Sequence, residues 1–159
     1  MTPAPRPGLL VDTNLLVLYI VGRVNPARIG QFKRTRKYAI DHFEFLCRLL
    51  DRWSCLYSVP HVFTEVSNLT DLQGHELACA RVALRETITE FDEEMLPSNE
   101  AASGPLYGRL GLTDSAIAQV ALKLDCEVLT DDLDLYLSLW DQKVVAHNFM
   151  HLYAGSLVR

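Results

Sequence analysis

The chain has 159 residues, enough for one domain with a substantial core and too few for two ordinary ones. Its 49% apolar and 22% charged content excludes a disordered chain. A formal charge of −5 excludes a protein that holds nucleic acid by bulk charge alone, although bound divalent ions and a local basic patch reverse the sign where it matters.

Residues 1–7 contain Pro3, Pro5 and Pro7 and are expected to form a loose arm. The run Gly8-Leu9-Leu10-Val11-Asp12 is a short aliphatic segment ending in an acid, the pattern of a strand buried on both faces. Thr13 then opens a helix carrying Leu16, Tyr19 and Ile20, which Gly22 and Pro26 are expected to end. The apolar stretch from Leu9 to Gly22 is interrupted by Asp12 and Asn14 and falls short of the ~20 residues that span a bilayer. Cys47, Cys55, Cys79 and Cys126 form no C-x-x-C pair and read as reduced, mostly buried thiols. A soluble, cytoplasmic protein is expected.

Arg23, Arg28, Lys33, Arg34, Arg36 and Lys37 follow with no acid among them, the one strong charge block of the chain. Helical spacing returns from Tyr38 to Trp53, and Cys55–Val59 reads as a second strand, with Pro60 at the start of the next helix. A long helix is expected over 75–91, then an acidic turn at 92–94 and breaks at Pro97 and Gly104-Pro105. A short helix ends near Arg109, and Thr113-Asp114 opens a helix running to Leu124. Cys126–Leu129 is a third strand, Thr130-Asp131-Asp132 opens a helix to Trp140, and Lys143–Ala146 is a fourth strand before an amphipathic tail. Strands alternating with helices predict a three-layer α/β/α sandwich around a parallel sheet of roughly four or five strands, in a single domain.

Ligands in such sheets bind beyond the carboxyl ends of the strands. Asp12 ends the first strand, Glu65 lies in the helix after the second, Asp114 in the first turn of its helix, and Asp132 just past the third strand. Four acids so placed repel one another unless a cation is present. Oxygen-only donors suit Mg²⁺ or Mn²⁺, with Asp12, Asp114 and Asp132 as ligands and Glu65 reaching in from the side. The expected chemistry is metal-assisted hydrolysis of a phosphodiester, with no serine, cysteine or histidine nucleophile. For any one acid, helix capping is the simpler explanation. It strains when applied to four at one rim, above all to Asp12 at the end of an aliphatic strand.

These residues carry a resemblance. Leu9-Leu10-Val11-Asp12-Thr13-Asn14 resembles the opening motif of PIN domains, the family that includes the VapC toxins of bacterial toxin–antitoxin pairs. Phe63-Thr64-Glu65-Val66 resembles the second motif, Leu112-Thr113-Asp114-Ser115-Ala116-Ile117-Ala118 the third, and Val128-Leu129-Thr130-Asp131-Asp132 the fourth, in the family's order. The resemblance implies a PIN-like fold and a ribonuclease using Mg²⁺ or Mn²⁺, with Asp12, Glu65, Asp114 and Asp132 at the acidic positions. Asn14 and Thr130 would take the supporting polar positions, Asp134 would be a further acid, and Asp131 would face solvent. It also implies RNA as substrate, a cognate antitoxin and a homodimer. The longer first section, holding the basic block, departs from the small toxins and leaves the toxin role apart from the nuclease core.

Two readings of the basic block stay open: a solvated loop, or an arm in which Arg23, Arg28, Lys33, Arg34, Arg36 and Lys37 grip RNA phosphates. Phe32 and Tyr38 flank it, as core residues or as platforms for bases. His147 and His151, four apart, read as surface residues, and Trp53 and Trp140 as packing residues. Phosphatase and response-regulator folds also place an Asp after the first strand. The former wants a second Asp where Asn14 stands, and the latter an acid pair that is absent. The remaining alternatives are a non-catalytic PIN-like module that binds RNA or protein and a structure-specific DNA nuclease.

Overall fold

The computed structural model describes residues 7–158, so the expected arm, apart from exposed Pro7, lies outside the described residues. Five strands form one all-parallel sheet: β1 (Leu9–Val11), β2 (Leu56–Ser58), β3 (Asp92–Glu93), β4 (Glu127–Thr130) and β5 (Ala146–Asn148). Their order across the sheet is β3-β2-β1-β4-β5. Helices flank it as a three-layer α/β/α sandwich, as the alternating pattern predicts. They are α1 (Thr13–Val24), α2 (Ile40–Leu50), α3 (Pro60–Leu69), α4 (Gly74–Glu90), α5 (Ser98–Ala102), α6 (Tyr107–Leu110), α7 (Leu112–Leu124), α8 (Leu133–Asp141) and α9 (Phe149–Ser156). No helix among the described residues is long and apolar enough to cross a membrane.

Central β1 is aliphatic throughout because both its faces are covered: Leu9, Leu10 and Val11 are fully buried. Leu9 pairs with Leu56 on one side and Glu127 on the other, and Val11 with Leu129. This register brings the ends of β1 and β4 level, so that Asp12 donates its N–H to Leu129 O at 3.0 Å. From β1 the chain runs outward through β2 to β3, whereas β4 and β5 lie on the other side. The direction reverses between β1 and β4, and the crevice at such a switch point is where parallel sheets bind ligands.

Three expected boundaries move, each for a local reason. Gly22 does not end α1, which continues to Val24. A Cβ at Gly22 would lie 2.2 Å from the Phe43 ring, so glycine here permits the close approach of α1 to α2. The helix stops at Asn25, which accepts from the Ala27 N–H at 3.1 Å ahead of a short 3-10 turn (Pro26–Arg28). The acidic turn at 92–94 is instead an edge strand, with Tyr57 paired to Asp92 and Ser58 to Glu93. Buried Phe91, packed edge-on against Phe63, brings the chain back to the sheet, and two exposed acids then discourage further pairing at that edge. The last strand starts at Ala146 rather than Lys143, because Lys143 turns through the left-handed region (φ 62°) on leaving α8. Trp140 is half exposed rather than packed inside, although its indole N–H reaches Ala146 O. Three of the cysteines are half-buried, Cys126 is buried, and all four are free thiols.

Candidate functional site

Asp12 is 4% exposed and serves as N-cap of α1 in an extended conformation. Its two carboxylate oxygens accept from the Thr13 N–H and from Thr130 Oγ1, both at 2.6 Å. Burial pushes its carboxyl up to about 6, against the pull of those two hydrogen bonds, and the charges of Asp131 and Asp132 push in the same direction as burial. Thr130, at the end of β4, is itself fully buried, and its hydroxyl also accepts the Asp132 N–H at 3.0 Å. One threonine thus ties the ends of β1 and β4 together.

Glu65 enters from α3. It accepts from Thr113 Oγ1 at 2.6 Å and Thr13 Oγ1 at 3.1 Å, and so bridges the first turns of α7 and α1. Asp114, in the first turn of α7, is half-buried. Burial, then the charges of Asp12, Asp132 and Glu65, push its carboxyl up to about 7, with no hydrogen bond opposing the shift. Asp132 caps α8, accepting the Leu135 N–H at 3.0 Å. The four predicted acids therefore lie along the carboxyl rim of the sheet, beside the switch point, with Asp12, Asp132 and Glu65 near enough to raise the Asp114 carboxyl. Capping accounts for Asp12 and Asp132 but not for Glu65, in the middle of α3, or for Asp114, whose helix has no side-chain cap.

The supporting residues divide. Thr130 belongs to the network, as expected. Asn14 is exposed on α1 and Asp134 exposed on α8, and neither side chain joins a hydrogen bond among the described residues. Asp131 corrects an expectation: its side chain is 3% exposed, not solvent-facing. Lys37 Nζ lies 2.7 Å from its Oδ2, and the Tyr38 hydroxyl donates to the same oxygen. Sequence reading also gave no role to Thr13 and Thr113, the two hydroxyls that hold Glu65. Both flank predicted acids in the chain, which was the available signal.

The basic block starts in the last turn of α1 with Arg23, passes Arg28 in the 3-10 turn and continues as an irregular loop to α2, and much of its charge is paired. Arg23 meets Glu86 at 2.5 Å, Arg28 meets Glu76 at 2.8 Å and Lys33 meets Asp71 at 2.9 Å. Only Arg34 and Arg36 of the six lack an acidic partner among the described residues. Phe32 packs against the core and Tyr38 is buried in it. His147, on β5, contacts Glu127, while His151 lies on α9 against Tyr136, so the pair does not share a helix.

Among the described residues, no group of three or more histidine, cysteine, aspartate or glutamate side chains stands in position to hold a metal ion. The donor chemistry nonetheless fits a hard divalent cation: all donors are carboxylate oxygens, and the Asp114 carboxyl has charges around it and no donor. An ion would have to draw these side chains together. No protein-family model matches the chain, and no curated protein matches it.

Proposed function

We propose that the protein is a divalent-metal-dependent ribonuclease of the PIN type, hydrolysing RNA phosphodiester bonds at the rim formed by Asp12, Glu65, Asp114 and Asp132. The observation that carries this reading is Asp114, a carboxyl with no hydrogen bond that is held up by burial and three neighbouring carboxylates. Such a group is stabilised by a cation more than by any other single partner. Mg²⁺ or Mn²⁺ bound by Asp12, Asp114 and Asp132 would supply an activated water and charge neutralisation at the phosphodiester.

The chain's own residues do the rest. Thr130 and the Thr13 N–H fix the Asp12 carboxylate, so that it is oriented before any ion arrives. Thr13 and Thr113 hold Glu65 across the starts of α1 and α7, where it can orient the attacking water and take up its proton. Loss of a proton from Asp114 would accompany metal binding near neutral pH. As an RNA-cutting enzyme the protein would act in the cytoplasm. The exposed negative rim would also accept a basic side chain from an antitoxin, and a homodimer is the expected assembly.

A second reading is favoured by one observation. Asp12 and Glu65 each already receive two donors, as carboxylates do in a purely structural polar network. In that reading the protein binds RNA or a partner without cutting. A DNA nuclease has no observation of its own to favour it.

Labelled single-stranded RNA and DNA incubated with Mn²⁺, Mg²⁺ or EDTA separate these readings. We expect metal-dependent cleavage of RNA leaving 3′-hydroxyl ends, and none in EDTA. Full cleavage in EDTA, or 2′,3′-cyclic phosphate ends, would refute the mechanism. Binding without cleavage would select the second reading.

A further inference from the structure

Asp131, directly after β4, neither caps a helix nor takes one of the four expected acidic positions. Its side chain is almost wholly buried, yet Oδ1 has no hydrogen-bond partner. A buried carboxylate is costly unless it is paired. Both groups that pair with its other oxygen come from the loop between α1 and α2: Lys37, whose ammonium also lies 5.0 Å from the centroid of the Tyr38 ring, and the Tyr38 hydroxyl. Tyr38 is itself buried, with its ring edge-on to His42 of α2.

The loop is held at other points too. Arg28 ties it to Glu76 in the first turn of α4, and Lys33 to Asp71 just before that helix. Thr35 closes it internally by donating to Ile29 O at 2.8 Å, and Ile29 is fully buried. Between the Lys33 tie and the Asp131 tie lie Arg34 and Arg36, two exposed guanidiniums without an ion-pair partner among the described residues, although Arg34 stands near enough to Asp71 to help lower its carboxyl. Arg36 immediately precedes Lys37, so the Asp131 contact limits how far Arg36 can stand from the end of β4, where Asp131 is close enough to Asp12 to raise its carboxyl.

We infer that Asp131 is a positioning residue for RNA: through Tyr38 and Lys37 it pins the basic loop to the end of β4, presenting Arg34 and Arg36 to phosphates flanking the scissile bond. This rests on the ribonuclease reading for its substrate. The device separates two tasks, with a paired, buried anchor and an unpaired, exposed grip. A guanidinium held in place loses less freedom on binding phosphate than one on a wandering loop.

The test is a double-mutant cycle on a short fluorescent single-stranded RNA. It compares Tyr38→Phe, the double variant Arg34→Ser/Arg36→Ser, and their combination, with Asp131→Asn as a second route to the same loss. Affinity is measured in EDTA, and KM and kcat in Mn²⁺. Tyr38→Phe keeps the ring and removes only the hydroxyl. We expect it to weaken RNA binding roughly fivefold and raise KM similarly, with kcat within about twofold. The arginine double variant should lower the salt slope by about 0.7 per lost contact. In the combined variant the two losses should be less than additive, because an unpinned loop no longer places the arginines. A merely structural role for Tyr38 would lower the melting temperature but leave the losses additive. Additivity, or unchanged affinity in Tyr38→Phe, overturns the inference, as does failure of the wild type to bind RNA in EDTA. Binding with the expected coupling but no cleavage in Mn²⁺ would keep the pin and refute the ribonuclease reading instead.

Discussion

The acidic rim and the basic loop are the two charged regions of this molecule, and they handle charge in opposite ways. At the rim, like charges are gathered and partly buried, so the carboxyls of Asp12 and Asp114 are pushed up, to about 6 and about 7. Along the basic block four of the six bases meet an acid from elsewhere in the chain, and the partners of Lys33 and Arg28, Asp71 and Glu76, are pulled below the usual carboxylate range. A fold tolerates the first arrangement at the expense of stability; the second is close to neutral on an exposed surface. Repulsion at Asp12 and Asp114 is the feature on which the proposed cation site rests. Most of the loop's charge is already satisfied within the chain.

The largest expected effect strikes the rim. Asp12→Asn keeps the N-cap through Oδ1, since Asn caps as well as Asp; its amide nitrogen donates to Thr130 Oγ1 where the carboxylate accepted from it, and a buried charge is removed. RNA cleavage should fall by roughly 10²-fold or more. The melting temperature in EDTA at pH 8 should stay the same or rise. A clear drop in melting temperature would mean that the Asp12 charge serves the fold, and the contrast between the two regions would collapse.

Glu65→Gln comes next and sharpens the division of labour within the rim. The amide can no longer accept from both Thr13 and Thr113, so stability should fall by about 1 kcal/mol. The turnover number should collapse while RNA affinity stays within about twofold. Equal losses in affinity and turnover would assign Glu65 to binding instead.

Acid titration sets the two regions against each other in one curve. Asp12 and Asp114 have folded-state values above their unfolded ones, so between these values the native state binds more protons. The metal-free protein should therefore become more stable as the pH falls from about 8 to about 5. Asp71 and Glu76 are shifted down, so their contribution is present near neutrality and is lost as the pH falls through their lowered values. A maximum near pH 5 in thermal melts with EDTA is expected. A flat profile from pH 5 to 8 would deny that the rim carboxyls repel one another. The smallest effect belongs to Lys33→Ser, whose ion pair with Asp71 is exposed on both sides. Its melting temperature should not change measurably.

The fold, and the placement of the four acids at strand ends and on helices, were legible in the sequence because each leaves a local trace. Aliphatic runs such as Leu9-Leu10-Val11 mark buried parallel strands. An acid directly after such a run is visible as a charge in an expensive place. What the sequence hid is tertiary. Whether Gly22 ends a helix or permits a close crossing depends on where the Phe43 ring lies. The acids that neutralise Arg28 and Lys33 sit far along the chain, at Glu76 and Asp71, so the block looked freer than it is. Asp131 was misjudged for the same reason, since helix-start acids usually face water and nothing near it in sequence announces Tyr38.

The central claim is that the rim is a divalent-cation site rather than a capping network, and a calorimetric Mn²⁺ titration tests it directly. Wild type should bind the ion at pH 6.5 with release of protons, chiefly from Asp114. That release should fade by pH 8.5, where the carboxyl is already ionised. Binding should be lost or greatly weakened in Asp114→Asn, which should remain folded. Absence of binding in wild type, or equal binding and proton release in Asp114→Asn, would contradict the account.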